Sequence, residues 1–317
     1  MLCEIRLSNF PPDGGIGHAQ RMARPLAFPR AGRSTVTDEL VTVRGRRLRV
    51  QVRRPQAPSG PPLLLINGIG ATLDLLDPFV AALPADREVI RFDPPGVGGS
   101  PTAALGYHVT TFTPVVGDLV TQLGHDQVDV LGYSWGGQLA QQLAITRPDR
   151  VRRLVLVATT TGALAVPPSP RVLCKFLLRR WPQDPVAVLA VATELFGGTV
   201  RTHPERAATT LAGIAESLRR GRRGYAQQLA ATVGWTSLPL LRLIRARTLV
   251  IAGDDDPMIP TANARILGCG IPDASVHRHP GGHLAIITEA PELAAVTADF
   301  LGLTIPPAES PPYSGTA

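Results

Sequence analysis

Lysine is almost missing from this 317-residue chain. Lys175 is the only one, and the remainder of its 32 basic residues are arginine. Against 25 acidic residues they leave a net charge of +7, which raises the question of an anionic partner. The arginines are scattered, with no aromatic-interleaved basic stripe and no helix-turn-helix pattern, and this argues against nucleic acid. Arg44, Arg46, Arg47, Arg49, Arg53 and Arg54 alternate as on the solvent face of a hairpin. Arg219, Arg220, Arg222 and Arg223 surround Gly221 in an expected loop. Cysteine is scarce too. Cys3, Cys174 and Cys269 lie far apart without metal-ligand spacing, so neither a disulfide framework nor a metal is expected, and a reducing compartment is. Long apolar runs are also lacking. Val186 to Phe196 is the most apolar stretch, but it contains Glu194 and falls short of the roughly 18 residues of a membrane helix. The first 30 residues hold prolines, glycines and Asp13 rather than the continuous apolar core of a secretory signal. A soluble, cytoplasmic protein is expected.

What is present suffices for a sizeable core, with 44% hydrophobic residues in one large domain or one domain with an insertion. Residues 1–36 read as a disordered leader, with Met22 as an alternative start to Met1, and 304–317 as a proline-rich disordered tail. Between them, Glu39 to Val43 and Leu48 to Val52 alternate in polarity and predict a hairpin. Leu63 to Ile66 is fully apolar, as a strand buried on both faces of a parallel sheet would be. A helix over Leu73 to Leu83, a strand over Glu88 to Phe92, a helix over Thr113 to Leu123 and a strand over Val128 to Leu131 follow. The pattern continues with a helix over Gln138 to Ile145 and a strand over Leu154 to Ala158. Alternation then pauses for a proline-punctuated helical stretch and resumes with strands at Thr248 to Ala252 and Ala274 to Arg278 and a helix over Pro291 to Leu301. The fold class is therefore α/β, a mostly parallel sheet with helices on both faces. Residues 37–160 and 243–303 form its core, and 161–242 form a helical cap over the carboxyl ends of the strands, where ligands bind in such sheets.

Gly132-Tyr133-Ser134-Trp135-Gly136 lies between a strand and a helix, which is the setting of a nucleophile elbow. Ser134 Oγ would stand at a helix N-terminus, where partial positive charge favours a developing anion. A serine hydroxyl is a poor nucleophile at neutral pH and needs a base, itself oriented by an acid. Asp254, Asp255 and Asp256 follow one later strand and His283 follows the next, giving the order Ser, Asp, His. Asp256, ahead of Pro257-Met258-Ile259-Pro260, is the preferred acid and Asp255 the alternative. His283, after two glycines, is preferred to His277 and His279. The oxyanion of the transition state needs N–H donors, and the expected ones are Trp135 and, in the loop Asn67-Gly68-Ile69-Gly70, Ile69. Gly96 to Ser100 hints at a dinucleotide loop, but the third glycine of that pattern falls on Pro101. It reads as a tight connection in which Asp93 accepts backbone amides. No cofactor is expected.

These residues resemble the α/β-hydrolase superfamily and, more narrowly, the intracellular poly(3-hydroxyalkanoate) depolymerases acting on medium-chain polyesters. The narrower resemblance rests on Asn67 to Gly70 and on Gly234-Trp235-Thr236-Ser237. It implies hydrolysis of stored polyester through an acyl-enzyme, with a polyester or other hydrophobic ester as substrate and a storage-granule surface as partner. Phe176, Leu177, Leu178, Trp181 and Phe196 of the cap would line an acyl groove or form the cap's own core. A small-molecule carboxylesterase or a cofactor-free perhydrolase would use the same triad. A non-catalytic ligand- or granule-binding protein would not need it. A long apolar groove reaching Ser134 would favour polymer, and a small closed chamber a short ester.

Overall fold

The computed structural model describes residues 34–178 and 184–303. The expected tail, Trp181, the two candidate start methionines and residues 1–33 of the expected leader lie outside the described residues. Ser34 to Val36, assigned above to the leader, belong to the first strand, β1 (Ser34–Val43).

β1 and β2 (Arg46–Pro55) form the expected hairpin around Arg44-Gly45, and β2 continues antiparallel onto β4 (Val89–Phe92). With β3 (Leu63–Ile66), β5 (Val128–Tyr133), β6 (Val151–Val157), β7 (Arg247–Gly253) and β8 (Ala274–His279), they build one sheet ordered β1-β2-β4-β3-β5-β6-β7-β8. All strands from β3 onward run parallel. The apolar run in β3 has its reason here, since successive side chains point to opposite faces and both faces are covered. Leu64 and Ile66 join Val130, Leu154 and Val250 in one core with helices α2 (Val109–Gln122), α3 (Trp135–Thr146) and α9 (Ala262–Gly270). Leu63 and Leu65 join Leu131, Val155 and Ile251 in the other, with α1 (Asp77–Ala82), α10 (Ala285–Thr288) and α11 (Ala290–Phe300).

Between β6 and β7 the chain leaves the sheet as α4 (Pro170–Leu178), α5 (Pro185–Phe196), α6 (Gly198–Thr202), α7 (Pro204–Arg220) and α8 (Arg222–Ala231). The departing and returning segments fasten to each other, through a bridge between Gly162 and Thr236 and Ser237 N–H donating to Thr161 O at 3.0 Å. The Gly-Trp-Thr-Ser sequence is this fastening. Trp235 Nε1 and Ser237 Oγ donate to Gln142 Oε1 and Gln141 Oε1 of α3 at 2.7 and 2.6 Å.

Several local expectations differ from the structure. α2 starts at Val109 and runs through Pro114, with His108 and Thr111 forming a reciprocal cap. That side-chain cap supports a helix start four residues ahead of the expected Thr113, upstream of the proline. α9 and α10, short helices without a clear apolar stripe, have no counterpart in the sequence reading. The arginines of β2 are not simply solvated. Arg49 is held between Asp38 and Asp74, and Arg53 donates to Val80 O and Pro84 O at 2.8 and 3.0 Å. Arg219 and Arg220 close a helix rather than sit in a loop, both paired with Glu216, and Gly221 separates α7 from α8.

Candidate active site

Ser134 follows β5 directly and caps α3 with φ 53° and ψ −117°. A non-glycine residue in this region stores about 1–3 kcal/mol of strain and persists only where its surroundings over-determine it. They do so here. Ser134 N–H donates to Val157 O at 2.9 Å, and its carbonyl accepts from Gly137 N–H and Thr159 Oγ1 at 3.0 and 2.7 Å. The flanking glycines permit the approach. A Cβ on Gly136 would overlap Ile66 O of β3, and one on Gly132 would sit 2.6 Å from Gly136 O and Gly137 Cα of α3.

The loops after β7 and β8 bring two of the expected residues to this serine. His283 Nε2 lies 3.2 Å from Ser134 Oγ, and His283 Nδ1 lies 2.8 Å from Asp256 Oδ2. Both His283 and Asp256 are buried. Asp256 Oδ1 is fixed separately by the N–H groups of Met258 and Ile259, each at 2.9 Å. The histidine's backbone is held as firmly. Its N–H donates to Phe196 O at 2.7 Å, and its carbonyl accepts from Tyr133 Oη at 3.0 Å. Burial first, and then the Asp256 charge, push the Tyr133 phenol well above its ordinary range, so Tyr133 stays a neutral donor.

The rival residues have other partners. Asp255 accepts from Gly198 N–H at 2.7 Å and pairs with Arg201, while Asp254 pairs with Arg278. His279 Nδ1 accepts from Gly281 N–H at 3.1 Å, and His277 lies within β8. Burial holds both imidazoles below their ordinary range. Asp93 accepts from the N–H groups of Leu73 and Gly99 at 2.7 and 2.8 Å, and burial raises its carboxyl. The Gly96 to Ser100 loop thus closes on Asp93. Among the described residues, no cluster of three or more His, Cys, Asp or Glu side chains is placed to hold a metal ion.

For an oxyanion, Trp135 is the first residue of α3, and its N–H is among those with no acceptor inside the helix. In the loop after β3, Gly68 N–H donates to Asn67 Oδ1, Gly70 N–H to Gln228 Oε1 and Ala71 N–H to Gly68 O. From Gly68 to Ala71, the N–H of Ile69 is the one without an acceptor among the described residues.

Two cavities meet at Ser134. One, about 320 Å³, is walled by Leu75, Leu195, Phe196, Ile214, Leu218 and Tyr225 and borders His283. The other, about 280 Å³, runs past Trp135 between Ala163, Val166, Leu173, Leu229 and Ile259. Ile69, Ser134, Phe176 and Met258 line both. Gln228, Ser217 and the carbonyl of Phe196 reach the Ile69 and His283 loops from the helical insertion. No sequence signal marks these contacts, because each is made across a long chain separation through one or two hydrogen bonds.

A family model described as alpha/beta hydrolase fold matches residues 61–290. A poly(3-hydroxyalkanoate) depolymerase of Ectopseudomonas oleovorans is 44% identical over 248 residues, which cover 78% of this chain and 87% of that protein. A pimeloyl-acyl-carrier-protein methyl ester esterase of Aromatoleum aromaticum is 29% identical over 253 residues, 76% of this chain and 98% of the relative. Among solved structures, the enol-lactonase from Burkholderia xenovorans LB400 matches with a TM-score of 0.72 at 26% identity, covering 83% of this chain and 100% of the other.

Proposed function

The chain belongs to the α/β-hydrolase family, and from that premise we infer that it is a serine ester hydrolase that depolymerises poly(3-hydroxyalkanoate). Ser134 Oγ attacks the ester carbonyl while His283 Nε2 takes its proton. The imidazolium so formed is held by the Asp256 carboxylate, and the charge on the former carbonyl oxygen is met by the N–H groups of Ile69 and Trp135. Collapse expels the alcohol, which takes the proton from His283, and leaves the acyl group on Ser134. A water, deprotonated by the same imidazole, releases the acid and restores the serine. Each oxyanion donor in such a site is worth about 3–4 kcal/mol.

The observation that carries the polyester reading is the pair of mostly apolar cavities meeting at Ser134. A chamber on one side alone would suit a small ester. Here both the acyl and the alcohol portions find room, and each cavity is near the lower end of the roughly 300–1,000 Å³ of small-molecule sites. The leaving alcohol must reach His283 Nε2, and only the larger cavity borders that ring, so the alcohol portion lies there and the acyl portion in the smaller one. Leu164, Val166 and Leu173 give the helical cap exposed apolar side chains, and the latter two line the smaller cavity. Such a rim suits a substrate presented at a storage-polymer surface. Among the described residues no helix is long and apolar enough to cross a membrane.

The test compares polyester granules with p-nitrophenyl esters, using wild type and Ala163→Phe. Release of 3-hydroxyacids from granules is expected, and Ala163→Phe should lose long-acyl esters while keeping p-nitrophenyl acetate. Turnover of short esters with no release from granules would overturn the polyester reading.

A further inference from the structure

We propose that Gln228, carried by cap helix α8, is a positioning residue that sets both oxyanion donors, so that the oxyanion hole is complete only while the cap is docked. The inference rests on the ester-hydrolase reading and adds to it a role for the cap in the chemistry itself.

Gln228 is fully buried. Its Oε1 accepts the N–H of Gly70 at 2.7 Å, and its main-chain carbonyl accepts the indole Nε1–H of Trp135 at 3.0 Å. One residue therefore grips the peptide immediately after Ile69 and the side chain of Trp135, the two residues whose N–H groups face the oxyanion. The next peptide is held as well, because Ser217 Oγ of α7 donates to Gly70 O at 2.6 Å. α7 and α8 lie close upon it. Gly70 has φ +68°, and a Cβ there would sit 2.7 Å from Leu218 and 2.8 Å from Tyr225.

The grip has a physical purpose. The loop contains Gly68 and Gly70, and glycine loses the most conformational freedom on ordering. Stabilising an oxyanion depends on donors that are aimed before the charge appears. Displacement of the Ile69–Gly70 peptide would drag the Ile69 backbone, and with it the adjoining Gly68–Ile69 peptide that carries the Ile69 N–H, away from that aim, and the hydrogen bonds to Gln228 and Ser217 oppose it on both sides of Gly70. Only the acceptors of Gln228 serve this purpose, since its Nε2 finds no partner among the described residues. A buried donor left unpaired carries a cost, which an apolar side chain of the same length would avoid.

The experiment uses full-length wild type, Gln228→Met, which keeps the side-chain length and removes the acceptor, and Ser217→Ala. Kinetics on p-nitrophenyl octanoate are combined with inhibition by a medium-chain trifluoromethyl ketone, whose adduct with Ser134 carries the oxyanion. Gln228→Met should lower kcat by about tenfold or more with KM within about threefold, and should weaken the ketone by the same factor as kcat. Ser217→Ala should lower kcat in the same manner by a smaller factor. A merely structural role would lower the melting temperature without weakening the ketone. A folded Gln228→Met with kcat within twofold of wild type, or with its loss confined to KM, would overturn the inference. If that variant does not fold, an unchanged kcat and ketone affinity in Ser217→Ala would do so. Wild type without ester hydrolysis would overturn the parent reading instead, and this one with it.

Discussion

Asp256→Asn should abolish most turnover without unfolding the protein. Asp256 Oδ1 accepts two backbone N–H groups, from Met258 and Ile259, so the asparagine must keep its oxygen there and turn its amide nitrogen toward His283 Nδ1. Two N–H groups cannot face each other, and the imidazole would shift its proton to Nε2. That nitrogen would then point a hydrogen at Ser134 Oγ instead of a lone pair. In a serine triad a tautomer error of this kind costs about 10⁴ in kcat, or about 5 kcal/mol at 1.36 kcal/mol per decade. The fold should lose only about 1 kcal/mol, the scale of one altered hydrogen bond. Asp255→Asn serves as the control, because the partly exposed pair of Asp255 with Arg201 contributes about 0–1 kcal/mol and touches no reacting atom. Initial rates on p-nitrophenyl butyrate together with urea melts check both variants. Asp256→Asn retaining more than a tenth of wild-type kcat, or losing less than Asp255→Asn, would refute the assignment of the acid.

Other perturbations read the supports of the site. Gly136→Ala drives a methyl into Ile66 O and to 2.6 Å from Asn67 O, and should destabilise by about 2–3 kcal/mol; a urea midpoint equal to wild type would contradict the packing described. Asp129→Leu leaves the fully buried Arg87 without its carboxylate partner, and about 3–5 kcal/mol should be lost in the same assay, whereas a cost under about 1 kcal/mol would argue that Arg87 has another counter-charge. Stability should also fall with acid. Burial keeps the folded imidazoles of His277 and His279 below the ordinary value. The unfolded chain therefore binds more protons once the pH drops through about 6.5, and this stability, complete above that value, is lost toward the lower folded values. Urea melts at pH 7.5 and 5.5 check the direction, and His279→Gln should flatten the slope.

The order of strands and helices was legible because the inner strands of the parallel sheet, β3, β4 and β5 above all, are buried on both sides. Leu63 to Ile66 has no polar face to conceal, and its apolar run announces the sheet. Ser134, Asp256 and His283 stood out as candidates for a related reason. Each sits shortly past a strand, beside glycines or prolines whose backbone requirements show in the letters. The arginines of β2 misled the reading, since alternation reports which side of the sheet a residue faces and not what waits there. Asp38, Asp74 and the carbonyls of Val80 and Pro84 turn that face into a set of ion pairs and hydrogen bonds. The start of α2 depends on its cap, and α9 on tertiary cover. Gln228 was invisible. A glutamine in an arginine-rich cap helix carries no local mark of contact with Gly70, 158 residues away in sequence.

Every step above depends on Ser134 being the nucleophile of an ester hydrolase. Brief incubation with an alkyl fluorophosphonate, followed by peptide mapping, tests it most directly when paired with hydrolysis rates of wild type and Ser134→Ala. One adduct is expected, on the peptide carrying Ser134, with labelling and turnover both absent from the folded Ser134→Ala protein. An adduct on a different residue, or hydrolysis undiminished in Ser134→Ala, would contradict it.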